Sequence, residues 1–564
     1  MKKLFVIAIG LSSIALSAQI DKPKGFENSS RNVVSGTDIR LISASKLSIE
    51  PLVPQTESPK ITLQFKTTEF PWETKKSIQK VEPDMVKESG KDSIYLSNYL
   101  RLGGGNNTHL LGELYLANRP NNLWSYNLHA NHFQGKTTKF NREVATTKVA
   151  MNGARYFSNS SLSTGLFFNR DFHSFFNQDS GLSESSSQLG LPARDGKSTL
   201  NYGVNIDYMT LAKRNFPEIK WLNSVQQFST NLNHNELEVN TLAKFLSKAK
   251  KFSIYGDVGL TYIQFKQRYN QSEKDSVNQQ LFVDFKPRVQ FYHKATLLDV
   301  RIGVNVTLNN NSMGIKSQTY VTPYVAVEKG IKGLEMKIYG QIDGGLQKNS
   351  IRRIHEKMPF FNGAIPIENG FEQINGFIGL KGKIASNSLF YMHFGGNTIA
   401  NLPMFVSATD TVKHFGDSLR SLNVVNNDVS TVFFKTGAEY LVGNMFKING
   451  DIQILNYNSD NIVGHLPSMT YHVSAEYKPI KELVFKVGLN GMGRRYNQIV
   501  MNNSLKKVEV KGYTDMYARI DYRFMGKGRL WLQGSNLLNQ KYQNWYGYNA
   551  FGITVMGGLS IGIL

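Results

Sequence analysis

Segments in which apolar and polar residues alternate at nearly every step recur along most of this chain, and they constrain its fold more than any other feature. Val300–Leu308 reads Val-Arg-Ile-Gly-Val-Asn-Val-Thr-Leu. Leu334–Ile342, Phe446–Ile454 and Phe252–Leu260 keep the same period with a slip or two. A period of two places one face of an extended strand in apolar surroundings and the other in water. A soluble sandwich shares that pattern, so other features must decide. The segments run about 9–13 residues, the length a tilted strand needs to cross a bilayer and longer than the usual ~5–6 of soluble strands. Their polar faces carry Arg301, Asn305, Lys337, Gln341, Lys447, Asp451 and Gln453. These residues are candidates for a watery lumen, being too hydrophilic for a packed interior.

Connection lengths point the same way. In the second half of the chain, short links (Glu328–Gly333, Ala385–Ser388, Val442–Asn444, Lys478–Glu482, Met525–Gly528) alternate with long ones (Gln347–Glu372, Asn397–Ser430, Asn458–Ser468, Arg494–Gly512, Asn539–Gly552). Short turns on one side and long loops on the other mark an outer-membrane barrel. A bilayer also demands closure, since an open sheet edge leaves backbone groups unpaired in hydrocarbon. Strands starting near Tyr95, Thr108, Leu123, Ala145, Ser161, Leu200, Val225, Glu236, Phe252, Leu281 and Leu298 give about eleven, and about eleven more follow from Gln318. The expectation is an all-β, transmembrane antiparallel β-barrel of about 22 strands, within a range of about 18–22. Ala212–Ser224, with Pro217, is the weakest stretch of that count.

The N-terminus differs. Lys2 and Lys3, the apolar run Leu4–Leu16 and the small pair Ser17-Ala18 read as a secretory signal peptide over residues 1–18. Residues 19–93 are broken by Pro23, Pro51, Pro54, Pro59, Pro71 and Pro83. They read as an extended leader, with the barrel over residues 94–564. Beyond residue 18 no apolar run is long enough for a spanning helix. Cysteine is absent, which excludes disulfides, thiolate metal sites and a cysteine nucleophile. The net charge is +22, and residues 101–564 hold 51 Lys and Arg against 32 Asp and Glu. In an exported protein the counter-charges are lipopolysaccharide phosphates, an anionic solute or a protein partner. No nucleic-acid motif accompanies the basic balance.

The C-terminal strands carry a likeness. Gly512–Phe524, Arg529–Tyr542 and Gly557–Leu564, with Asn536-Leu-Leu-Asn539 followed by Tyr542, resemble the last three strands of TonB-dependent receptor barrels. His465–Tyr477 and the turn after it resemble that family's C-terminal strands as well. The resemblance implies an outer-membrane receptor barrel that binds or passes a solute. That family fills its barrel with an N-terminal plug larger than residues 19–93 could form, so a conventional plug is expected to be missing.

Candidate sites are few. His129 and His132 are three apart, on opposite faces of a strand, and cannot chelate together. Gly103–Asn107 lacks the Lys-Ser/Thr and helix of a phosphate loop and reads as a hairpin turn. Ser183–Ser187 has no partners for a nucleophile. The expectation is therefore no catalytic residue, no metal, no cofactor and no enzyme. Trp531, Tyr542, Trp545, Tyr546 and Tyr548 cluster near one rim. They read either as an interfacial aromatic girdle, favoured for Trp531, or as a sugar-stacking platform on the loop.

The functional expectation is a solute channel or receptor in the outer membrane, contacting lipid and lipopolysaccharide. Something must narrow so wide a lumen: the leader, the inward-folded loops Gln347–Glu372 or Asn397–Ser430, or a periplasmic partner docked through residues 19–93. The alternative is a non-transporting scaffold that anchors a periplasmic or surface assembly.

Overall fold

The computed structural model describes residues 98–563 apart from 119–122, 138–141, 175–195, 211–216, 232–233, 250–251, 269–274, 312–316, 362–367, 408–421, 462 and 502–503. The expected signal peptide, the leader, Ser183–Ser187 and Leu564 lie outside the described residues.

The first strands are β1 (Tyr99–Gly105), β2 (Leu110–Ala117), β3 (Trp124–Thr137), β4 (Arg142–Tyr156), β5 (Ser160–Ser174), β6 (Gly196–Thr210) and β7 (Glu218–Thr230). Next come β8 (Asn235–Lys248), β9 (Phe252–Arg268), β10 (Asp275–His293), β11 (Leu298–Asn311), β12 (Gln318–Gly330) and β13 (Met336–Gln347). The helix α1 (Ile351–Lys357) follows. Then β14 (Gly370–Gly382), β15 (Ser388–Ser407), β16 (Leu422–Val442), β17 (Phe446–Asn458), β18 (Met469–Ile480) and β19 (Leu483–Met492) continue the wall. The last are β20 (Arg495–Met501), β21 (Ser504–Val510), β22 (Tyr513–Phe524), β23 (Gly528–Ser535), β24 (Gln543–Trp545), β25 (Tyr548–Asn549) and β26 (Thr554–Gly562).

The main sheet has 24 strands; β20 and β21 stand outside the ring, leaving 22 that close on themselves. Strand β19 pairs with β22, β23 with β26, and β26 returns to β1 with Tyr99 opposite Gly562. All ring pairings are antiparallel, so no backbone edge remains open. A ring of 22 strands measures about 40 Å across at the backbone.

Burial is inverted relative to a protein dissolved in water. On β11, Ile302 and Leu308 are 49% and 47% exposed, whereas Asn305 and Thr307 are 5% and 4% exposed. On β17, Ile448, Ile452 and Ile454 are exposed on the face opposite Lys447, Asp451 and Gln453. Apolar side chains thus point outward on strand after strand, a surface that only an apolar solvent tolerates. The barrel spans a membrane.

One end carries tight turns. Met525 and Gly526 take left-handed backbone (φ 49° and 68°) between β22 and β23, matching the twist of a short hairpin. The other end carries the long connections. There the structure corrects two expected loops. Asn397–Ser430 is largely hairpin, with β15 reaching Ser407 opposite Leu422 of β16. A 20-residue strand is about 65 Å long, twice the hydrocarbon thickness, so it continues well beyond the bilayer. Arg494–Gly512 likewise forms the hairpin β20–β21. The weak stretch Ala212–Ser224 gives way to β7, which begins at Glu218.

Candidate functional site

A cluster of buried apolar residues lies inside the barrel mouth, on the long-loop side. It is built from wall residues Phe228, Ile263, Phe265 and Phe282, from Ile351, Ile354, Met358, Phe360 and Phe361 of the β13–β14 loop, and from Phe405, Val424 and Tyr548. The wall residues share the inward face with Glu236, Glu238, Thr261 and Asp284. Residues 348–361 therefore fold into the lumen.

Its inward course begins at the end of β13. Register shifts between Asp343 and Gly345, and Glu372 of the neighbouring strand is followed by a second shift. Asn305 pins this bulge, donating from Nδ2 to Asp343 Oδ1 (2.7 Å) and to the Gly344 carbonyl (2.9 Å). Gly344 has no room for a side chain: a Cβ would lie 2.7 Å from the Glu372 carbonyl. A bulge bends its strand, and here it turns the chain toward the lumen.

Helix α1 is too short to persist alone, and its environment holds it. Ser350 caps it, its Oγ accepting from the Arg353 N–H at 3.3 Å. Ile351 and Ile354, three apart, face the wall and are buried. Its cations meet a ladder of wall carboxylates. The Arg352 backbone N–H donates to Glu236 (2.9 Å), the Arg352 guanidinium to Glu238 (2.6 Å) and Glu356 (2.7 Å), and Arg353 to the second oxygen of Glu238 (2.6 Å). Just before the helix, Lys348 donates to Asp284 (2.5 Å) and Thr261 (3.0 Å). Burial alone would lower the Arg352 pKa, but Glu238 and the other carboxylates hold it above the usual value. Beside α1 opens a recess of about 660 Å³ walled by Lys348, Arg352, Arg353, Glu356 and Lys357, whose charges largely offset one another together with Glu238 and Asp284.

At the other end of the helix, Lys197 of β6 is buried. Its ammonium donates to His355 Nδ1 and to the Pro359 and Phe361 carbonyls, the last at 3.3 Å. Three acceptors surround the Lys197 nitrogen, and among the described residues no carboxylate touches it. Accepting at Nδ1 requires that the His355 ring keep its single proton on Nε2. Burial, then the charge of Lys197, hold the His355 pKa well below the usual imidazole range.

A second loop reaches in from the far side of the mouth. Residues 536–553, between β23 and β26, fold back as the hairpin β24–β25, and Tyr548 stacks on Phe360 with ring centres 3.5 Å apart. Trp545 packs edge-on against Phe405 (5.4 Å) and over His465 (4.9 Å). Arg495 of β20 donates to the Gln543 carbonyl at 2.6 Å, and Arg142 of β4 to the Asn549 carbonyl at 2.6 Å. The base of this loop is Asn536, which donates to the Gln540 and Phe551 carbonyls at 3.0 and 2.9 Å. Two loops rooted on different parts of the wall thus meet across the mouth.

The residues singled out in the sequence fall into distinct places. Arg301, Asn305, Lys337, Gln341, Lys447, Asp451 and Gln453 sit on faces opposite exposed isoleucines or leucines. Asn305 touches the base of the loop, and Gln341 donates to Asp343 there at 3.2 Å. Arg301 pairs with Asp299 (3.0 Å), Lys337 with Glu328 (3.6 Å), and Lys447 with Glu439 (3.0 Å). The aromatic group divides. Trp531 does not belong to a lipid-level girdle: it is 4% exposed, between lipid-facing Leu530 and Leu532, and fills space above Gly103 and Gly558. Tyr548 is no open platform, since its face is occupied by Phe360. Tyr542 stacks on Tyr513 at 3.9 Å and donates to Asp515 at 2.9 Å. Trp545 is half-buried in the lid, and Tyr546 is half-buried between Trp545 and Gly547 in the same hairpin.

Lys197, Glu236, Glu238, Arg352, Arg353 and His355 carry the constriction, and the sequence reading passed over all of them. Two signals were present: Glu236 and Glu238 at i, i+2 on one strand face, and Ser350 ahead of an Ile351/Ile354 pair.

Replacing Glu238 by Ala removes the partner of two arginines, one of them buried. Breaking such a pair costs about 3–5 kcal/mol, enough to undock α1. Trypsin is expected to cut at Arg352 and Arg353 within minutes in the variant and slowly in the parent, with the barrel core uncut in both. Equal cleavage rates would show that the ladder does not hold the helix.

No family model matches this sequence, and no curated protein sequence matches it. Solved structures do. The FrpB iron transporter from Neisseria meningitidis (F3-3 variant) aligns with a TM-score of 0.65 at 11% identity, over 82% of this chain and 81% of that one. The siderophore receptor PirA from Acinetobacter baumannii gives 0.63 at 10%, over 83% and 80%. The pyoverdine outer membrane receptor FpvA from Pseudomonas aeruginosa PAO1, bound to pyoverdine, gives 0.62 at 10%, over 83% and 78%. Likeness at such identity establishes the fold, which is the receptor-type barrel that the C-terminal strands resemble.

Proposed function

We propose that this protein passes a polar solute across the outer membrane, through a 22-strand barrel whose outer mouth is narrowed by its own 348–369 and 536–553 loops. The observation that carries this reading is the docked loop. A barrel this wide, with a polar inner wall, conducts unless something fills it, and the 348–369 loop is held across the mouth by contacts that can be broken one at a time. A scaffold needs neither a hydrated wall nor a lid. The fold neighbours named above are, by description, an iron transporter and siderophore receptors, in keeping with a solute of comparable size. Residues 19–93 are proposed to lie on the periplasmic side, where a protein partner would reach them.

Planar-bilayer recording tests this directly. The purified full chain at neutral pH is expected to give discrete ion currents, smaller than an unobstructed barrel of this size allows. A form lacking residues 19–93 separates the contribution of the leader from that of the loops. Absence of current from the full chain, from the leader-less form and from a form without the 348–369 loop would overturn the transport reading.

A further inference from the structure

Near the end of the barrel with short turns, one level of the lumen wall is unusually basic. Strand register aligns Arg523 of β22 with Arg529 of β23, Arg529 with Ser560 of β26, Ser560 with Arg101 of β1, and Arg101 with Glu113 of β2. Cross-strand partners share a face. That face is the inner one, because Ile520, Tyr522, Leu530 and Leu532 between them are exposed outward.

Two nearby carboxylates are already engaged, and Glu482, whose carbonyl accepts from the Arg523 N–H at 2.7 Å, is exposed at the adjoining turn. Glu113 takes Arg101 (2.8 Å), His129 (3.1 Å) and the Tyr99 hydroxyl (2.7 Å). Asp521 takes Arg519 through both oxygens (2.7 and 2.9 Å). Among the described residues, the guanidinium groups of Arg523 and Arg529 meet neither a carboxylate nor a hydrogen-bond acceptor. Two like charges directly opposite on neighbouring strands repel, and lumen solvation only partly relieves this. The arrangement becomes favourable when an anion lies between the two groups. A guanidinium fork matches two oxygens of a carboxylate or phosphate, and Arg101 stands about 10 Å from Arg529, two strands away across β26.

We propose that Arg523 and Arg529 form a lumenal binding site for a phosphate- or carboxylate-bearing solute, open to the periplasmic side. This deepens the transport reading by naming the solute's charged group, and it rests on that reading only for its biological meaning. Binding itself needs no conduction. Isothermal titration of inorganic phosphate into the detergent-solubilised full chain is expected to show saturable binding in which sulfate competes and chloride does not. Arg523→Gln and Arg529→Gln should each weaken binding on the order of tenfold, as loss of one charged hydrogen-bonding partner implies. The double variant should abolish it. The gel-mobility shift of the unheated barrel verifies that each variant is folded. Binding unchanged in the folded double variant, or absent from the parent, overturns the site. Binding that appears only once residues 19–93 are removed also overturns it, because the pair then serves an acidic segment of this chain. A barrel that binds phosphate yet carries no current refutes transport and leaves the site standing.

Discussion

Replacing residues 349–368 with a short Gly-Ser turn is expected to raise single-channel conductance on the order of tenfold, toward that of an unobstructed 22-strand lumen. The geometry permits the excision. Gln347 and Gly370 are register partners at the ends of β13 and β14, so a few residues suffice to close the hairpin. The wall left behind tolerates it as well. Glu236, Glu238 and Asp284 would face water, where carboxylates are well solvated, and the lipid face is untouched. Phe228, Ile263, Phe265 and Phe282 would lose their loop partners, a cost borne at the mouth and not in the membrane-spanning part. The variant should therefore still resist detergent unfolding until heated. Glu238→Ala should give an intermediate result, flickering between low and high conductance, because it weakens docking and keeps the loop attached. Conductance indistinguishable from the parent in the excised form would mean that the passage is narrowed elsewhere.

The barrel was legible because a bilayer demands a local signal. On β11 each residue reports its face by itself: Ile302 out, Arg301 and Asn305 in. Trp531 shows how the same signal goes unread. Arg529-Leu-Trp-Leu-Gln533 alternates in frame, with leucine on the lipid side, so its phase already placed Trp531 with Arg529 and Gln533 on the lumen face. What misled was residue type, since tryptophan favours membrane interfaces in general. The indole fits inside because Gly103 and Gly558 leave space for it, and they lie hundreds of residues apart in the chain. Inward folding of Gln347–Glu372 was among the expectations, but the contacts that hold it were illegible for a related reason. Lys197 and His355 are separated by 158 residues, and Glu238 and Arg352 by 114. A lumenal carboxylate that is solvated and one that grips a loop look the same in a strand pattern. Beyond the bilayer the constraint vanishes too, which is why the extended hairpin of β15 and β16 read as a loop.

Lowering the pH from 7.5 to 5 is expected to open the mouth. Two loop imidazoles, His355 and His465, are held neutral under the lid, and His173 against Phe360 (5.9 Å) and His234 against His355 (5.6 Å) touch it as well. His355 lies among Lys197, the His234 ring (5.6 Å), Phe228 and Phe361, with no carboxylate against it. His465 supports Trp545, shares Asn497 at 3.0 Å and lies near Arg495; burial, with Arg495 adding to it, brings its pKa down to about 3. A histidine whose docked pKa lies below its free value of about 6.5 takes up a proton when released. Its contribution to docking is therefore complete above about pH 6.5 and shrinks as the pH falls through the interval beneath. For His465 the loss at pH 5 amounts to about 2 kcal/mol. For His355 a proton on Nδ1 would also remove the acceptor of Lys197 and set two cations together. The double variant His355→Gln, His465→Gln tests the assignment. Glutamine offers Lys197 a carbonyl oxygen and does not titrate, so its conductance should stay flat between pH 7.5 and 5 while that of the parent rises severalfold. A parallel rise in both proteins would place the proton-sensitive contact away from His355 and His465, at His173, His234 or the carboxylates.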